Sequence, residues 1–243
     1  MFDHVTIRVS DRSASERFYD TVLATLGIDQ TYSTPALCQW GSFGLTERDE
    51  ATPPTRRLHV GFGSPSREQV DDFWQTGADA GYTDDGRPGP RPQYREDYYG
   101  AFLLDPDGNS IEAVHHGSVR RDHGVIDHLW IRVADLAAAK RFYETIAPYA
   151  ALRVGDDAPE RVQFAGEGAS FSLVPGAPTE RLHMAFPTDD DEDVRRFHAA
   201  AIEAGYPDNG PPRERARYHR GYYAAYVLDP DGNNIEVVNH QRS

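Results

Sequence analysis

The first strand and helix of the chain are visible in the spacing of its apolar residues. Residues 4–9 alternate between polar and apolar side chains. A period of two predicts a strand with one apolar face. Ser10 or Asp11 can then cap a helix, whose apolar positions follow at helical spacing until Gly27 provides a C-terminal signal.

The remaining elements of the first half follow the same kind of pattern. Three short strand-like runs come after the helix, and the order of one strand, one helix and three strands then restarts. These elements are strands at about 28–32, 36–40, 43–46 and 58–63, a helix at 66–80, and strands at 82–84, 98–104 and 110–115. An Asp-Pro-Asp-Gly-Asn sequence predicts a tight turn before the last strand. The first half is therefore predicted to contain two βαβββ modules.

The second half of the chain repeats the first at a constant offset of 124 residues. The matching segments are Asp3-His4 with Asp127-His128, Arg17-Phe18-Tyr19 with Arg141-Phe142-Tyr143, Leu58-His59 with Leu182-His183, and 105–109 with 229–233. A period this long indicates duplicated domains rather than a solenoid. We predict an α+β fold of four βαβββ modules. The two domains would span 1–118 and 124–243 and meet at the polar stretch 117–124.

Composition narrows the class of function. The chain has 39 acidic and 25 basic residues and a net charge of −14, so nucleic acid is not expected as a partner. It contains no apolar run of about 18 residues, and we expect no membrane-spanning helix. Its single cysteine, Cys38, cannot form an internal disulfide, which favours a reducing compartment. We expect a cytoplasmic monomer or homodimer that acts on a small molecule.

Candidate metal ligands lie on the polar faces of the predicted strands. In the first copy they are His4 and His59, on the first strand of each module, and Glu112 on the last strand. The second copy presents His128, His183 and Glu236 in the same way. Two imidazoles and a carboxylate suit Fe²⁺, Mn²⁺, Ni²⁺ or Zn²⁺ and leave positions open for substrate. We expect each copy to bring its own three ligands to one cavity; the alternative is a set of ordinary surface histidines.

These motifs resemble those of the vicinal oxygen chelate superfamily, which includes glyoxalase I, extradiol dioxygenases and bleomycin resistance proteins. The resemblance rests on the Asp-His strand, the Arg-Phe-Tyr helix, the Leu-His strand and the Asp-Pro-Asp-Gly-Asn-x-Ile-Glu hairpin, and it covers nearly all of both copies. It implies that each domain is a curved, mostly antiparallel sheet around a cavity with helices outside. It is less specific for the reaction, because one scaffold hosts many chemistries.

The resemblance also helps to choose between glyoxalase and dioxygenase chemistry. Glyoxalase I-like sites add a fourth carboxylate ligand on the last strand of the first module, but that strand carries none at 43–46 or 170–173. Extradiol dioxygenases use three ligands and a tyrosine ten positions before the ligand glutamate, where this chain has Tyr226. Tyr226 is therefore the candidate catalytic residue, and the first copy has Phe102 instead. No equivalent of the further dioxygenase histidine precedes His183.

Side chains alternate between the two faces of a strand, so residues two or four positions from a candidate ligand share its face and are candidates for the substrate pocket. Arg8 and Arg132 share strand faces with ligand histidines, and an inward arginine suits an anionic substrate. Trp130 replaces Thr6 in the second copy, so the two cavities are expected to differ in size. The remaining candidates are aromatic residues on the strand before the ligand glutamate: Tyr98, Phe102 and Tyr222.

We therefore expect a metal-dependent enzyme that chelates two neighbouring oxygens of a small organic substrate. Non-haem Fe²⁺ dioxygenation is the first choice of reaction, with one divalent metal in each active domain. Two alternatives stay open at this stage. One is glyoxalase-like isomerase or lyase chemistry, and the other is a metal-free binding protein of the resistance type.

Overall fold

The computed structural model describes residues 1–47, 52–119 and 124–241, and within them the chain forms four successive βαβββ modules. Module 1 contains β1 (His4–Val9), α1 (Arg12–Ala24), β2 (Tyr32–Ser33), β3 (Cys38–Trp40) and β4 (Phe43–Glu47). Module 2 contains β5 (Leu58–Gly63), α2 (Arg67–Asp79), β6 (Thr83–Pro90), β7 (Tyr99–Leu104) and β8 (Ser110–His115). Module 3 contains β9 (Ile126–Val133), α3 (Leu136–Ile146) with a 3-10 turn (Ala147–Tyr149), β10 (Arg153–Ala158), β11 (Arg161–Ala165) and β12 (Ser170–Pro175). Module 4 contains β13 (His183–Pro187), α4 (Asp191–Glu203), β14 (Asp208–Glu214), β15 (Tyr223–Leu228) and β16 (Asn234–Asn239). Of the predicted joint at 117–124, residues 120–123 lie outside the described part.

Side-chain caps fix the helix starts close to where the sequence predicts them. The Asp11 carboxylate accepts a backbone N–H from the first turn of α1 at 2.9 Å, and Asp135 caps α3 in the same way. Ser66 caps α2, which therefore begins one residue after the predicted start. These caps satisfy donors that have no partner within the helix, which is why the short polar residues mark the boundaries so well.

Strand β6 is the largest departure from the predicted elements. A short strand at 82–84 was expected, but β6 runs over Thr83–Pro90 and includes Gly86 and Pro88. Glycine and proline normally indicate a loop. Here they are tolerated because β6 is an edge strand, paired only with β7.

The modules pair across the two sequence copies. Sheet I has the order β14-β15-β16-β13-β1-β4-β3-β2 and joins module 1 to module 4. Sheet II has the order β10-β11-β12-β9-β5-β8-β7-β6 and joins module 2 to module 3. The central contacts are antiparallel, β1 with β13 and β5 with β9. The prediction that each copy closes its own sheet and cavity is therefore wrong.

The cause of this difference lies in the similarity of the modules. All four begin with a strand of the same alternating pattern, and backbone hydrogen bonds do not depend on side-chain identity. An internal repeat therefore predicts that modules pair, but it does not select the partner.

The apolar faces of the two modules within one copy pack against each other. Phe18 on α1 meets Tyr82 edge-on with ring centroids 4.8 Å apart, and Phe43 meets Phe62 at 5.2 Å. Residues of one copy thus share an apolar core, whereas the polar face of each sheet is built from both copies. No helix in the described part of the chain is both long and apolar enough to cross a membrane.

Candidate metal centres

Two histidines and a glutamate meet on three adjacent strands of sheet II. His128 on β9 and Glu112 on β8 both lie in register with Gly61 on the central strand β5. His59 precedes Gly61 by two residues, so its side chain leaves the same face of the sheet. We call the cluster of His59, His128 and Glu112 the His59 site.

The distances within the His59 site suit a single metal ion. Nε2 of His59 lies 3.0 Å from Oε2 of Glu112 and 3.1 Å from Nε2 of His128. Nε2 of His128 lies 3.3 Å from the same carboxylate oxygen. Ligand atoms held about 2.1 Å from one ion and at right angles to each other are about 3 Å apart. The three donors therefore fit one face of an octahedron.

Sheet I carries an equivalent cluster, which we call the His4 site. It consists of His4 on β1, His183 on β13 and Glu236 on β16. The two Nε2 atoms are 2.9 Å apart, and Nε2 of His183 is 3.1 Å from Oε2 of Glu236. Nε2 of His4 is more distant from that oxygen, at 3.6 Å. The His4 site is thus slightly wider than the His59 site.

The expected grouping of the six ligands needs correction. His4, His59 and Glu112 were predicted to meet in the first copy, and the second set in the other copy. Instead His4 joins two ligands of the second copy, and His128 joins two ligands of the first. The same six residues form the two candidate groups, but their partners follow the cross-copy pairing of the sheets.

Acceptor groups hold the Nδ1 atoms of the histidines in the His59 site. Nδ1 of His128 donates to the Asp127 carboxylate at 2.9 Å. Nδ1 of His59 lies 3.2 Å from the hydroxyl oxygen of Ser110. That hydroxyl donates its proton to Asp85 at 2.6 Å, so its oxygen is free to accept from His59. Both Nδ1 atoms are therefore donors.

The His4 site has a similar arrangement with different partners. Nδ1 of His4 donates to Asp3 at 2.8 Å. Nδ1 of His183 lies 3.1 Å from the backbone carbonyl of Asn234 and 2.8 Å from the side-chain amide nitrogen of the same residue. In a neutral imidazole a protonated Nδ1 leaves Nε2 as a lone-pair acceptor. The outer partners of His4, His59 and His128 therefore direct Nε2 of each ring toward its centre, as outer partners do in metal sites.

Tyrosines hold the second oxygen of each ligand carboxylate. Tyr98 donates to Oε1 of Glu112 at 2.8 Å, and Tyr222 donates to Oε1 of Glu236 at 2.7 Å. Both glutamates are 1% exposed. Burial alone raises the pKa of Glu112, but hydrogen bonds from His128 and His59 outweigh it, and the net pKa is lowered. Tyr98 and Tyr222, which were predicted to contact substrate, thus also fix the two carboxylates.

The two histidines of the His59 site differ in their affinity for protons. Burial lowers the pKa of His128, but hydrogen bonds to Asp127 and Glu112 outweigh it and raise the pKa to about 10. Burial dominates at His59 and lowers its pKa. Without metal and at neutral pH, the site therefore contains an imidazolium, a neutral imidazole and a carboxylate.

The His59 site opens into a cavity of about 1140 Å³, which we call the His59 cavity. Four residues predicted for substrate binding line it: Tyr98, Phe102, Trp130 and Arg132. The ring of Trp130 stands edge-on to His59, with centroids 6.5 Å apart. Because the sheet combines modules 2 and 3, residues predicted for two separate pockets surround one site.

The predicted catalytic residue, Tyr226, belongs to the His4 site. It lies in register with Glu236, and its ring is 6.3 Å from that of His183. Its hydroxyl is buried, and no described residue provides a hydrogen-bond partner for it. The guanidinium of Arg215 lies 4.9 Å from the centre of its ring. Arg8, the other candidate on this side, follows His4 on β1.

Two groups of site residues were missed in the sequence. Asp3 and Asp127 fix the histidine rings, and the Asp-His pair repeated in both copies was a usable signal for them. The other group is a set of arginines around the His59 cavity, including Arg91, Arg153 and Arg161. Nothing in the repeat marked Arg153 or Arg161, because the other copy has Asp29 and Leu37 at the corresponding positions.

Comparisons with known proteins agree with this architecture. The family model described as the Glyoxalase/Bleomycin resistance protein/Dioxygenase superfamily matches residues 1–113 and 125–237. Glyoxalase I from Zea mays has a TM-score of 0.69 at 17% identity, covering 98% of this chain and 92% of its own. A putative dioxygenase from Bacillus subtilis subsp. subtilis str. 168 has a TM-score of 0.65 at 16% identity, covering 100% of this chain and 86% of its own. At these identities the two structures support the fold alone.

A sequence relative is also known. Virulence protein STM3117 from Salmonella typhimurium is 24% identical over 135 residues, which is 53% of this chain and 92% of that protein. Its length thus corresponds to about one of the two sequence copies. The family resemblance and the fold class predicted from the motifs are confirmed.

Proposed function

The chain belongs to the Glyoxalase/Bleomycin resistance protein/Dioxygenase superfamily, and we propose that it is a metal-dependent enzyme whose His59 site catalyses non-haem Fe²⁺ dioxygenation of a small organic substrate. Two histidines and one carboxylate on one side of an open site are the ligand set of non-haem Fe²⁺ oxygenases. Among the described residues, the candidate ligand groups contain three members and no fourth carboxylate. A glyoxalase I-like centre would need that fourth ligand.

The observation that carries this proposal is the direction of the imidazole lone pairs. In the His59 site both Nδ1 atoms donate to oxygen, so both Nε2 lone pairs face the same buried carboxylate oxygen. Three electron-rich atoms about 3 Å apart repel each other unless a cation lies between them. A proton on His128 fills that role in the free protein, and a divalent metal would replace it.

The residues of the chain would act mainly by holding and enclosing the reactants. His59, His128 and Glu112 would hold the metal, which when bound chelates two neighbouring oxygens of a substrate and admits O₂. Tyr98 fixes the carboxylate so that a single oxygen faces the centre. Trp130 and Phe102 would provide apolar surface on the substrate side.

The His4 site is a second candidate for the same reaction. Its specific support is the Tyr226 hydroxyl, which is buried, lies on the strand position opposite Glu236, and meets the hydrogen-bond geometry with none of the described residues. A phenol near a chelated substrate oxygen can donate a hydrogen bond or move a proton. The His59 site has Phe102 at the corresponding position and cannot use this group.

Anaerobic purification, loading with Fe²⁺ and an O₂-uptake screen over catechols and 2-oxo compounds test the proposal. We expect O₂ uptake that His59→Ala abolishes and His183→Ala retains. The opposite pattern, with loss in Tyr226→Phe, would assign the reaction to the His4 site. Turnover without O₂ consumption would contradict dioxygenation and support isomerase or lyase chemistry. Protein that takes up no metal would instead be a binding protein.

A further inference from the structure

Six arginines line the His59 cavity, although the chain as a whole is acidic. They are Arg57, Arg91, Arg95, Arg132, Arg153 and Arg161. Three of them have carboxylate partners: Arg57 with Glu180 at 2.7 Å, Arg95 with Asp97 at 2.7 Å, and Arg161 with Asp156 at 2.5 Å. The other three, Arg91, Arg132 and Arg153, form no ion pair with a carboxylate among the described residues.

The carboxylates of the cavity wall contact other groups. Asp127 is held by His128 and His116, and Asp85 accepts the Ser110 hydroxyl. Glu112 is held by the two histidines of the His59 site. None of these three carboxylates forms an ion pair with Arg91, Arg132 or Arg153, and a bound divalent metal would add further positive charge to the site.

Part of this arginine set is specific to the His59 cavity. At the positions 124 residues earlier, the first copy has Asp29 in place of Arg153 and Leu37 in place of Arg161. Arg95 likewise corresponds to His219. Strands β10 and β11 therefore carry cations that the matching positions of the first copy lack, which favours a ligand specific to the His59 cavity.

The same wall also carries aromatic surface. Tyr94 stands edge-on to Trp130 with ring centroids 5.9 Å apart, and Arg161 lies 5.9 Å from the Trp130 ring. Arg91 lies 5.5 Å from the Phe102 ring. Flat guanidinium and aromatic surfaces side by side suit a planar molecule with a charged end.

From these contacts we infer that the His59 cavity binds an organic anion: a planar, unsaturated or aromatic acid whose anionic group contacts a guanidinium group of this wall that has no carboxylate partner, that of Arg132 on β9 or of Arg153 on β10. This inference rests on the proposed function for the metal end of the substrate. The chelating oxygens would face the His59 site, and the anionic group would face β9 and β10. A neutral molecule of the same shape would leave the guanidinium groups without a partner.

Calorimetric titration of the metal-free protein with 3,4-dihydroxybenzoate and with its uncharged methyl ester tests the inference. The two probes share one ring and differ in charge, and quenching of tryptophan fluorescence that is lost in Trp130→Phe gives a second readout. We expect the anion to bind at least about tenfold more tightly, as expected for a charge-assisted contact, and the preference to weaken with added salt.

Variants locate the contact. Arg132→Gln combined with Arg153→Gln should remove the preference for the anion, whereas Arg8→Gln, the matched change beside the His4 site, should preserve it. Equal affinities for the two probes, no binding of the anion at millimolar concentration, or a preference that survives the double substitution would overturn the inference. Because no metal is present, these outcomes do not depend on whether the enzyme consumes O₂.

Discussion

The His4 site and the His59 site share their ligands but differ in the residues around them. Both place two histidines and a glutamate on three adjacent strands, with the histidine Nδ1 atoms and the second glutamate oxygen held by outer partners. The surroundings differ at matched positions: Thr6 against Trp130, Tyr226 against Phe102, and Asp29 against Arg153. After duplication the arrangement of the histidines and the glutamate was retained, while the residues around them diverged.

Two glycines explain why the His59 site is tighter. A Cβ added to Gly61 would lie 2.3 Å from the His128 ring, and one added to Gly100 would lie 2.3 Å from Oε1 of Glu112. The His4 site has Ala185 and Ala224 at these positions. Ala185 lies in register with His4, whose Nε2 is the atom set back from its carboxylate at 3.6 Å. The small residues therefore set how closely the ligands approach each other.

Substitution of these glycines and alanines is expected to have the largest effect on metal affinity. Gly61→Ala with Gly100→Ala should displace His128 and Glu112 and weaken metal binding at the His59 site by up to about 100-fold. The matched change, Ala185→Gly with Ala224→Gly, removes atoms instead of adding them and should weaken neither site. Competition with a chelator measures both affinities. An unchanged affinity in the first variant would mean that the glycines do not set the ligand geometry.

Metal binding at the His59 site should depend steeply on pH. The pKa of His128 is raised from 6.5 to about 10. Protonation of His128 therefore stabilises the metal-free folded state; this stabilisation is complete below about pH 6.5 and is lost as the pH rises through about 10. Metal must displace that proton, so affinity should rise by about tenfold per pH unit between about pH 7 and pH 9. Calorimetry in buffers of different ionisation enthalpy should detect one released proton. Binding without proton release would contradict this charge state.

Removal of the hydroxyl group of Tyr98 or Tyr222 should have a smaller effect on metal affinity. Tyr98→Phe leaves Oε1 of Glu112 buried without its donor, and we expect metal affinity at the His59 site to fall about tenfold. Tyr222→Phe should produce the same loss at the His4 site only. If each variant weakened both sites equally, general destabilisation would explain the result better than ligand orientation.

Replacement of Trp130 in the wall of the His59 cavity should have the smallest effect on binding. Trp130→Thr gives the His59 cavity the residue found beside the His4 site and removes an aromatic surface. We expect about threefold weaker binding of 3,4-dihydroxybenzoate, with metal affinity unchanged. An equal loss of metal affinity would indicate that Trp130 supports the ligands rather than the substrate.

Local patterns in the sequence predict much of this molecule. Alternation and caps locate the modules, and β8 begins and ends where expected, at Ser110 and His115. The six candidate ligands were selected by their positions on the polar faces of strands, and the structure groups the same six residues. Edge strand β6 was predicted too short, because its glycines and prolines resemble a loop.

Which of the six candidate ligands meet in one centre could not be predicted in the same way. The constant offset of 124 residues makes β1 equivalent to β9 and β5 equivalent to β13, so pairing within a copy and across copies looked alike. The arginines of the cavity wall could not be predicted either. The position that matches Arg153 in the other copy is an aspartate, and only the folded sheet places Arg153 in the same cavity wall as Arg132.

Metal counting in two double variants tests the central claim most directly, namely that each centre combines ligands from both copies. His4→Ala with His183→Ala removes two ligands of one centre, and the account predicts that one equivalent of metal remains. His4→Ala with His59→Ala removes one ligand from each centre and should leave none. The reverse result, with metal retained in the second variant and lost in the first, would contradict the cross-copy assembly of the sites.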